Sequence, residues 1–144
     1  MSAENEALVR RYYEDMCNGR QNGLADDLFA DDHEYHDPAI PGADGPEPMV
    51  KMIGVFQDGI EANWDVHDLF ATGDRVSVRW TLKGEHSGEI MGIPPTGYDI
   101  AVDALSIHRI AGGRIAETWT VWDFLGFLQQ LGACLLYTSP SPRD

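Results

Sequence analysis

Apolar positions return every fourth residue at the start of the chain, where Leu8, Tyr12 and Met16 fall on one stripe of a predicted helix. Ser2 can cap its N-terminus, Glu4 and Glu6 suit the positive end of its dipole, and Asn18-Gly19 ends it. A short helical piece is predicted over residues 24–29, then the acidic pair Asp31-Asp32 and a short strand at 34–36. Pro38, Pro41, Gly42, Gly45, Pro46 and Pro48 impose an irregular loop. From Pro48 the helical period resumes, with Met49, Met52, Ile53, Phe56 and Ile60 on one side and Lys51, Gln57 and Asp58 on the other.

After Asn63 the pattern changes to Val, Trp, Thr and Ile between turn signals at 72–74, 92–97 and 111–113. Four long strands are predicted, over 64–71, 75–85, 98–110 and 114–123, and the short gaps between the later ones suit antiparallel meander connections. A closing helix is predicted over 124–131, with Asp123 placed to cap it. Helices first and antiparallel strands afterwards specify an α+β domain whose helices cover one face of a strongly curved sheet. The hollow between them is the usual form of a small-molecule site, so a small-molecule substrate is the expected partner. Apolar residues occupy both faces of 98–110, which predicts that the outer face is covered too, by a second subunit, making a homodimer.

The chain has 144 residues, enough for one domain with a real core and too few for two enzymatic domains. Twenty-four acidic against ten basic side chains give a net charge of −14, which repels nucleic-acid backbones and anionic lipid, so neither is expected as a partner. No apolar run approaches the roughly 18 residues of a membrane span. Residues 1–11 lack the apolar core of a signal peptide, and a cytoplasmic protein is the expectation. Residues 134–144, CLLYTSPSPRD, break with everything before them and resemble the conceptual translation of an adapter used in preparing sequencing libraries. Residues 1–133 are therefore read as one domain and 134–144 as a non-native tail. On that reading Cys17 is the only native cysteine, which leaves no disulfide framework and no cysteine metal site.

Three segments carry a resemblance: the loop Met91-Gly92-Ile93-Pro94-Pro95-Thr96-Gly97, the strand run from Gly113 to Trp119, and Gln129-Gln130-Leu131-Gly132. They are similar to the SnoaL-like polyketide cyclases, also called ester cyclases. The paired Tyr12-Tyr13, His36-Asp37-Pro38 and Gly73-Asp74-Arg75-Val76 agree in order and spacing, so the resemblance covers about residues 5–132. It implies a cone-shaped α+β barrel of the nuclear-transport-factor-2-like or cystatin-like kind. It also implies an intramolecular aldol closure of a polyketide methyl ester without metal or cofactor. Such chemistry needs a base for a proton on a carbon flanked by carbonyls, and a donor for the enolate and the new alkoxide. A carboxylate in an apolar cavity suits the first role, because desolvation raises its pKa toward working pH.

The resemblance breaks where the chemistry should be. The family's last strand commonly runs E-H-W-D with the Asp as acid/base, and the matching residues here are Glu117, Thr118, Trp119 and Thr120. Ser106 stands where characterised cyclases present a pocket His, and His108 is two residues on, on the same face by strand alternation. His108, His36 and Asp37 are therefore the catalytic candidates, with pocket positions assigned to Tyr12, His86, Ser106, Thr118, Thr120, Trp119 and Trp122. Asp103 falls on the outward face, Asp123 has an alternative role as a helix cap, and His67 reads as an exposed strand residue. His33 and His36 with Asp31, Asp32 and Asp37 offer ligand atoms, but H-x-x-H without a helix or a distant third ligand is a weak metal signal, so no metal site is expected. Two other readings stay open: a noncatalytic binding or dimerisation protein on the same cone, and a hydrolase or isomerase using His36, Asp37 or His108.

Overall fold

The computed structural model describes residues 2–132; the tail read over 134–144, with Cys134, lies outside the described residues. Helix α1 (Ser2–Arg11) runs directly into a π-helical segment (Tyr12–Asn18), a 3-10 turn follows at Asn22–Leu24, and α2 (Ala25–Leu28) leads into strand β1 (Phe29–His36). The proline-rich loop then gives way to α3 (Pro46–Ile60), and β2 (Asn63–Thr72), β3 (Arg75–Glu85), β4 (Asp99–Ala111) and β5 (Arg114–Trp122) precede α4 (Phe124–Leu131). The five strands form one sheet in the order β1-β5-β4-β3-β2. The long strands and the last helix fall within a residue or two of their expected positions, because turn signals bound each one.

Two elements depart from the sequence reading. β1 is eight residues long and pairs parallel with β5, whereas β2 to β5 form the antiparallel meander. Parallel pairing needs a long crossover, and α3 with three strands supplies it; the run 34–36 alone carries no trace of so distant a partner. The first helix starts at Ser2 itself and does not remain α-helical. From Tyr12 it loosens to i→i−5 bonding, seen where the Gly19 N–H donates to Glu14 O at 2.9 Å. A Cβ on Gly19 would stand 2.5 Å from the Asp15 carbonyl oxygen, so glycine is what lets this end close.

The wider turn takes more residues than an α turn, and adjacent Tyr12 and Tyr13 both reach the core, along with Met16 and Cys17. Its orphan carbonyls are served from α3, where Gln57 Nε2 donates to Cys17 O at 2.9 Å. Asn18 then clips the segment to β2 through both backbone polar groups of Trp64, at 2.7 and 2.9 Å. The core between helices and sheet is apolar: Leu28, Phe29, Met49, Ile53, Ile115 and Phe127 are wholly buried. Gly84 allows the last turn of α3 to lie on β3, since a Cβ there would collide with the Ile60 carbonyl oxygen.

Candidate active site

The helices and the concave face of the sheet bound a cavity in which about 30 Å³ is open to the centre of a water-sized sphere, within about 450 Å³ of atom-free space that includes its opening to solvent. Its walls are mainly aromatic and aliphatic. Tyr12 and Tyr13 come from the π-helical segment, Met52, Ile53 and Phe56 from α3, and Trp64 and Trp80 from β2 and β3. Polar atoms enter this lining from three places: alternate residues of β4 and β5, the end of β1 with Asp37, and the tyrosine hydroxyls.

On β4 and β5 the register sets Ser106 opposite Thr120 and His108 opposite Thr118. All four are buried. The Ser106 and Thr120 hydroxyls bond to each other at 2.8 Å, and Ser106 Oγ accepts from Trp80 Nε1 at 3.1 Å. His108 uses both nitrogens, Nδ1 with Thr118 Oγ1 at 2.9 Å and Nε2 with Tyr13 Oη at 2.8 Å. Thr118 Oγ1 in turn meets Nε2 of His33 at 3.1 Å, a ring buried behind the cavity wall against Phe29. Burial lowers the His108 pKa from its ordinary 6.5 to about 3 and that of His33 to about 4, so both rings are neutral near pH 7. Burial likewise pushes the hydroxyls of Tyr12, Tyr13 and Tyr35 far up, which keeps them protonated and able to donate.

Among the described residues Asp37 is the only carboxylate that borders the cavity. It sits one residue past β1 and is 8% exposed. Oδ2 accepts from Tyr35 Oη at 2.8 Å and from Trp122 Nε1 at 3.0 Å, and Oδ1 accepts from the Ala39 N–H at 2.8 Å. Trp122 Nε1 also reaches Oδ1 at 3.3 Å, so three donors make four contacts with a group of about four lone-pair directions, and this longest contact is the one a substrate proton would replace. The arrangement can take a proton from carbon or oxygen at one rim of the cavity while tyrosine and hydroxyl donors face an oxygen at the other.

Of the residues assigned from the sequence, Asp37, His108, Tyr12, Ser106, Thr118, Thr120 and Trp122 border this cavity, and His36, His86 and Trp119 do not. His36 and Asp37 are adjacent, so strand alternation sends them to opposite faces. His36 points outward, bonds Glu117 Oε2 at 2.7 Å and stacks on Trp119 at 5.5 Å. Trp119 faces outward for the same reason, between the inward Thr118 and Thr120, with Arg75 over its ring. His86 is buried beneath the 91–97 loop, where Nδ1 bonds Thr96 Oγ1 at 2.9 Å and accepts the Thr96 N–H. His108 borders the cavity, yet both of its nitrogens are occupied, so no lone pair remains for a substrate proton.

Asp123 caps α4 by accepting the Gly126 N–H at 2.9 Å, and Asp103 is exposed and accepts from Thr81. His67 bonds Thr81 Oγ1 at 2.7 Å beside it. Among the described residues the one metal-like grouping is Glu34, His36 and Glu117, on the outer face of the sheet. Glu117 there already holds Arg109 at 3.1 Å, a cation in competition with any metal. The sequence singles out Tyr12 of the tyrosine pair and weighs His33 only as a metal ligand, and it does not single out Tyr35. A usable signal existed in β1, where His33, Tyr35 and Asp37 share one parity and the exposed Glu34 and His36 share the other. No such local signal announces Tyr13, whose inward turn depends on the π-helical geometry.

The family model for SnoaL-like polyketide cyclases matches residues 7–131. Among curated relatives, the aklanonic acid methyl ester cyclase DauD of Streptomyces sp. (strain C5) is 28% identical over 131 residues, covering 87% of this chain and 80% of that protein. The nogalonic acid methyl ester cyclase of Streptomyces nogalater is 28% identical over 125 residues, covering 81% and 92%. Among solved structures, IdmH from Streptomyces antibioticus superposes with a TM-score of 0.76 at 30% identity, over 89% of this chain and 98% of that one. By the match across nearly the whole described chain, this protein belongs to the SnoaL-like polyketide cyclase family.

Proposed function

We propose that the chain closes a ring in a polyketide-type carbonyl compound by cofactor-independent acid/base chemistry, with Asp37 as the base and Tyr13 as the oxygen donor. The observation that carries the reading is Asp37, among the described residues the one carboxylate that borders the cavity, held by Tyr35, Trp122 and the Ala39 N–H. A carboxylate placed against a bound substrate can act as a base toward an acidic C–H. It suits a C–H acidified by two flanking carbonyls, as in the methyl esters for which the two Streptomyces relatives are named. Asp37 takes that proton, the enolate oxygen accepts from Tyr13, and the enolate carbon attacks a ketone of the same molecule. A carbon–carbon bond forms, and the resulting alkoxide recovers the proton from Asp37, which returns to its starting state.

The test offers aklanonic acid methyl ester to the purified protein and follows ring closure by absorbance. Turnover is expected, and Asp37→Asn is expected to lower kcat by about 10²–10⁴-fold. Turnover that persists in Asp37→Asn overturns the assignment.

A second reading, a noncatalytic binder, is favoured by one observation: Ser106 and Thr120, standing where the resemblance led us to expect His and Asp, satisfy each other at 2.8 Å. Saturable binding of the same ester with no ring closure would select it. Either reading includes pairing of two copies through the outer sheet face, where Leu105 and Val121 are 59% and 65% exposed, and a cytoplasmic location.

A further inference from the structure

His33 does not border the cavity, but its hydrogen bonds fix the protons of residues that do. Its Nδ1 lies 3.2 Å from the Gly45 N–H. A backbone N–H can only donate, so Nδ1 carries a lone pair and the neutral ring holds its proton on Nε2. That proton goes to Thr118 Oγ1 at 3.1 Å. The Thr118 hydroxyl is 1% exposed, and among the described residues its other partner is His108 Nδ1 at 2.9 Å. A buried hydroxyl hydrogen takes an available acceptor, so Thr118 donates there, and His108 must also carry its proton on Nε2. From that nitrogen the next donation reaches Tyr13 Oη at 2.8 Å. Since the Tyr13 oxygen accepts from His108, its own hydrogen turns away from that ring, toward the cavity that Tyr13 lines.

We propose that His33 is a positioning residue: it sets one direction for every hydrogen along His33, Thr118, His108 and Tyr13, and so aims the Tyr13 hydroxyl at an oxygen bound in the cavity. The inference rests on the reading of Tyr13 as the oxygen donor. The anchor of the row is the loop before α3, where Gly45 holds φ at 88°, a conformation that favours glycine. Without His33, Thr118 still has a hydroxyl to give, but nothing obliges it to give it to His108. The His108 ring can then reverse, placing its proton on Nδ1 and taking the Tyr13 hydrogen at Nε2, which removes the donor from the cavity.

The test is a two-bond ¹H–¹⁵N correlation spectrum of the histidine rings in the full chain at pH 7, which separates protonated from unprotonated ring nitrogens at each site. Both His33 and His108 are expected in the Nε2–H form. In His33→Leu the His108 ring is expected to show a mixture of the two forms, whereas His33→Gln, which offers an acceptor oxygen and a donor amide, is expected to keep it as Nε2–H. Should the leucine variant not fold, His33→Met carries the same expectation. An Nδ1–H form of His108 in the unaltered protein overturns the proposal, as does a His108 ring that stays wholly Nε2–H in the apolar variants. These spectra need no substrate, so lack of turnover in the unaltered protein would sink the cyclase reading alone, and a reversed His108 would sink the positioning role alone. With turnover in hand, His33→Leu is expected to lower kcat about tenfold, the size of one weakened donor, and to leave KM near its starting value.

Discussion

The inner and outer faces of β4 and β5 differ in the opposite sense from an ordinary sheet. Inward stand Ser106, His108, Thr118 and Thr120, each 5% exposed or less, while outward stand Leu105, Ile107 and Val121 at 42–65%. A half-buried sheet normally alternates apolar-in and polar-out. Burying hydroxyls and imidazoles costs free energy unless each finds a partner, and here all four are paired. On the proposed reading the inversion reflects two roles for two faces of the same strands: polar groups inside would serve a ligand, and apolar groups outside would serve a second copy. Along most of β3 and the early part of β4 the usual sense returns, with Val76, Val78 and Ile100 buried.

The largest expected effect on this contrast comes from acid. Inside the folded protein His108 and His33 have pKa values lowered from 6.5 to about 3 and about 4. The unfolded chain binds protons below 6.5 that the folded chain refuses, so stability is fully present above pH 6.5 and declines as pH falls toward 4 and then 3. The slope approaches about 1.4 kcal/mol per pH unit for each ring. Urea denaturation between pH 7.5 and 4.5 measures it, and a flat profile would contradict neutral burial of the inner face.

A smaller effect follows from Thr118→Val, which keeps the shape of the side chain but leaves His33 Nε2–H and His108 Nδ1 without the hydroxyl between them. A loss of about 2–6 kcal/mol is expected, from about 1–3 for each of the two orphaned groups, read as a lowered urea midpoint at pH 7.5. An unchanged midpoint would show that the inner polar face is not held together through this atom.

The smallest effect on folding is expected outside. Leu105→Ser with Val121→Ser should change the stability of the single chain by no more than about 0.5 kcal/mol. The same pair of changes should convert a dimer to a monomer by light scattering. An unaltered chain that is monomeric at all concentrations would remove the proposed reason for the outer apolar row.

The long strands were legible because their period and their glycine turns are local properties. In β4 alternation tied His108 to the face of Ser106, but only the family resemblance told which face points inward, since apolar residues occupy both. The same rule extended to β1 and β5 separates His36 from Asp37 and Trp119 from Thr118 and Thr120, which motif matching alone had grouped. His33 and Tyr35 were visible as alternating partners of Asp37, but their value depends on what lies opposite them. β1 pairs with β5, more than 80 residues away in the chain, and that pairing brings His33 to Thr118.

Composition and periodicity by themselves determined an acidic α+β domain with a curved meander and a hollow on one side, since hydrophobic alternation and turn chemistry act over a few residues. The tertiary structure decided which groups share that hollow. It set the π-helical turn that faces both Tyr12 and Tyr13 inward, the parallel docking of β1, and the ring of donors around Asp37. Each of these depends on contacts between distant segments, where a buried polar atom is stable only if its partner arrives from elsewhere in the chain.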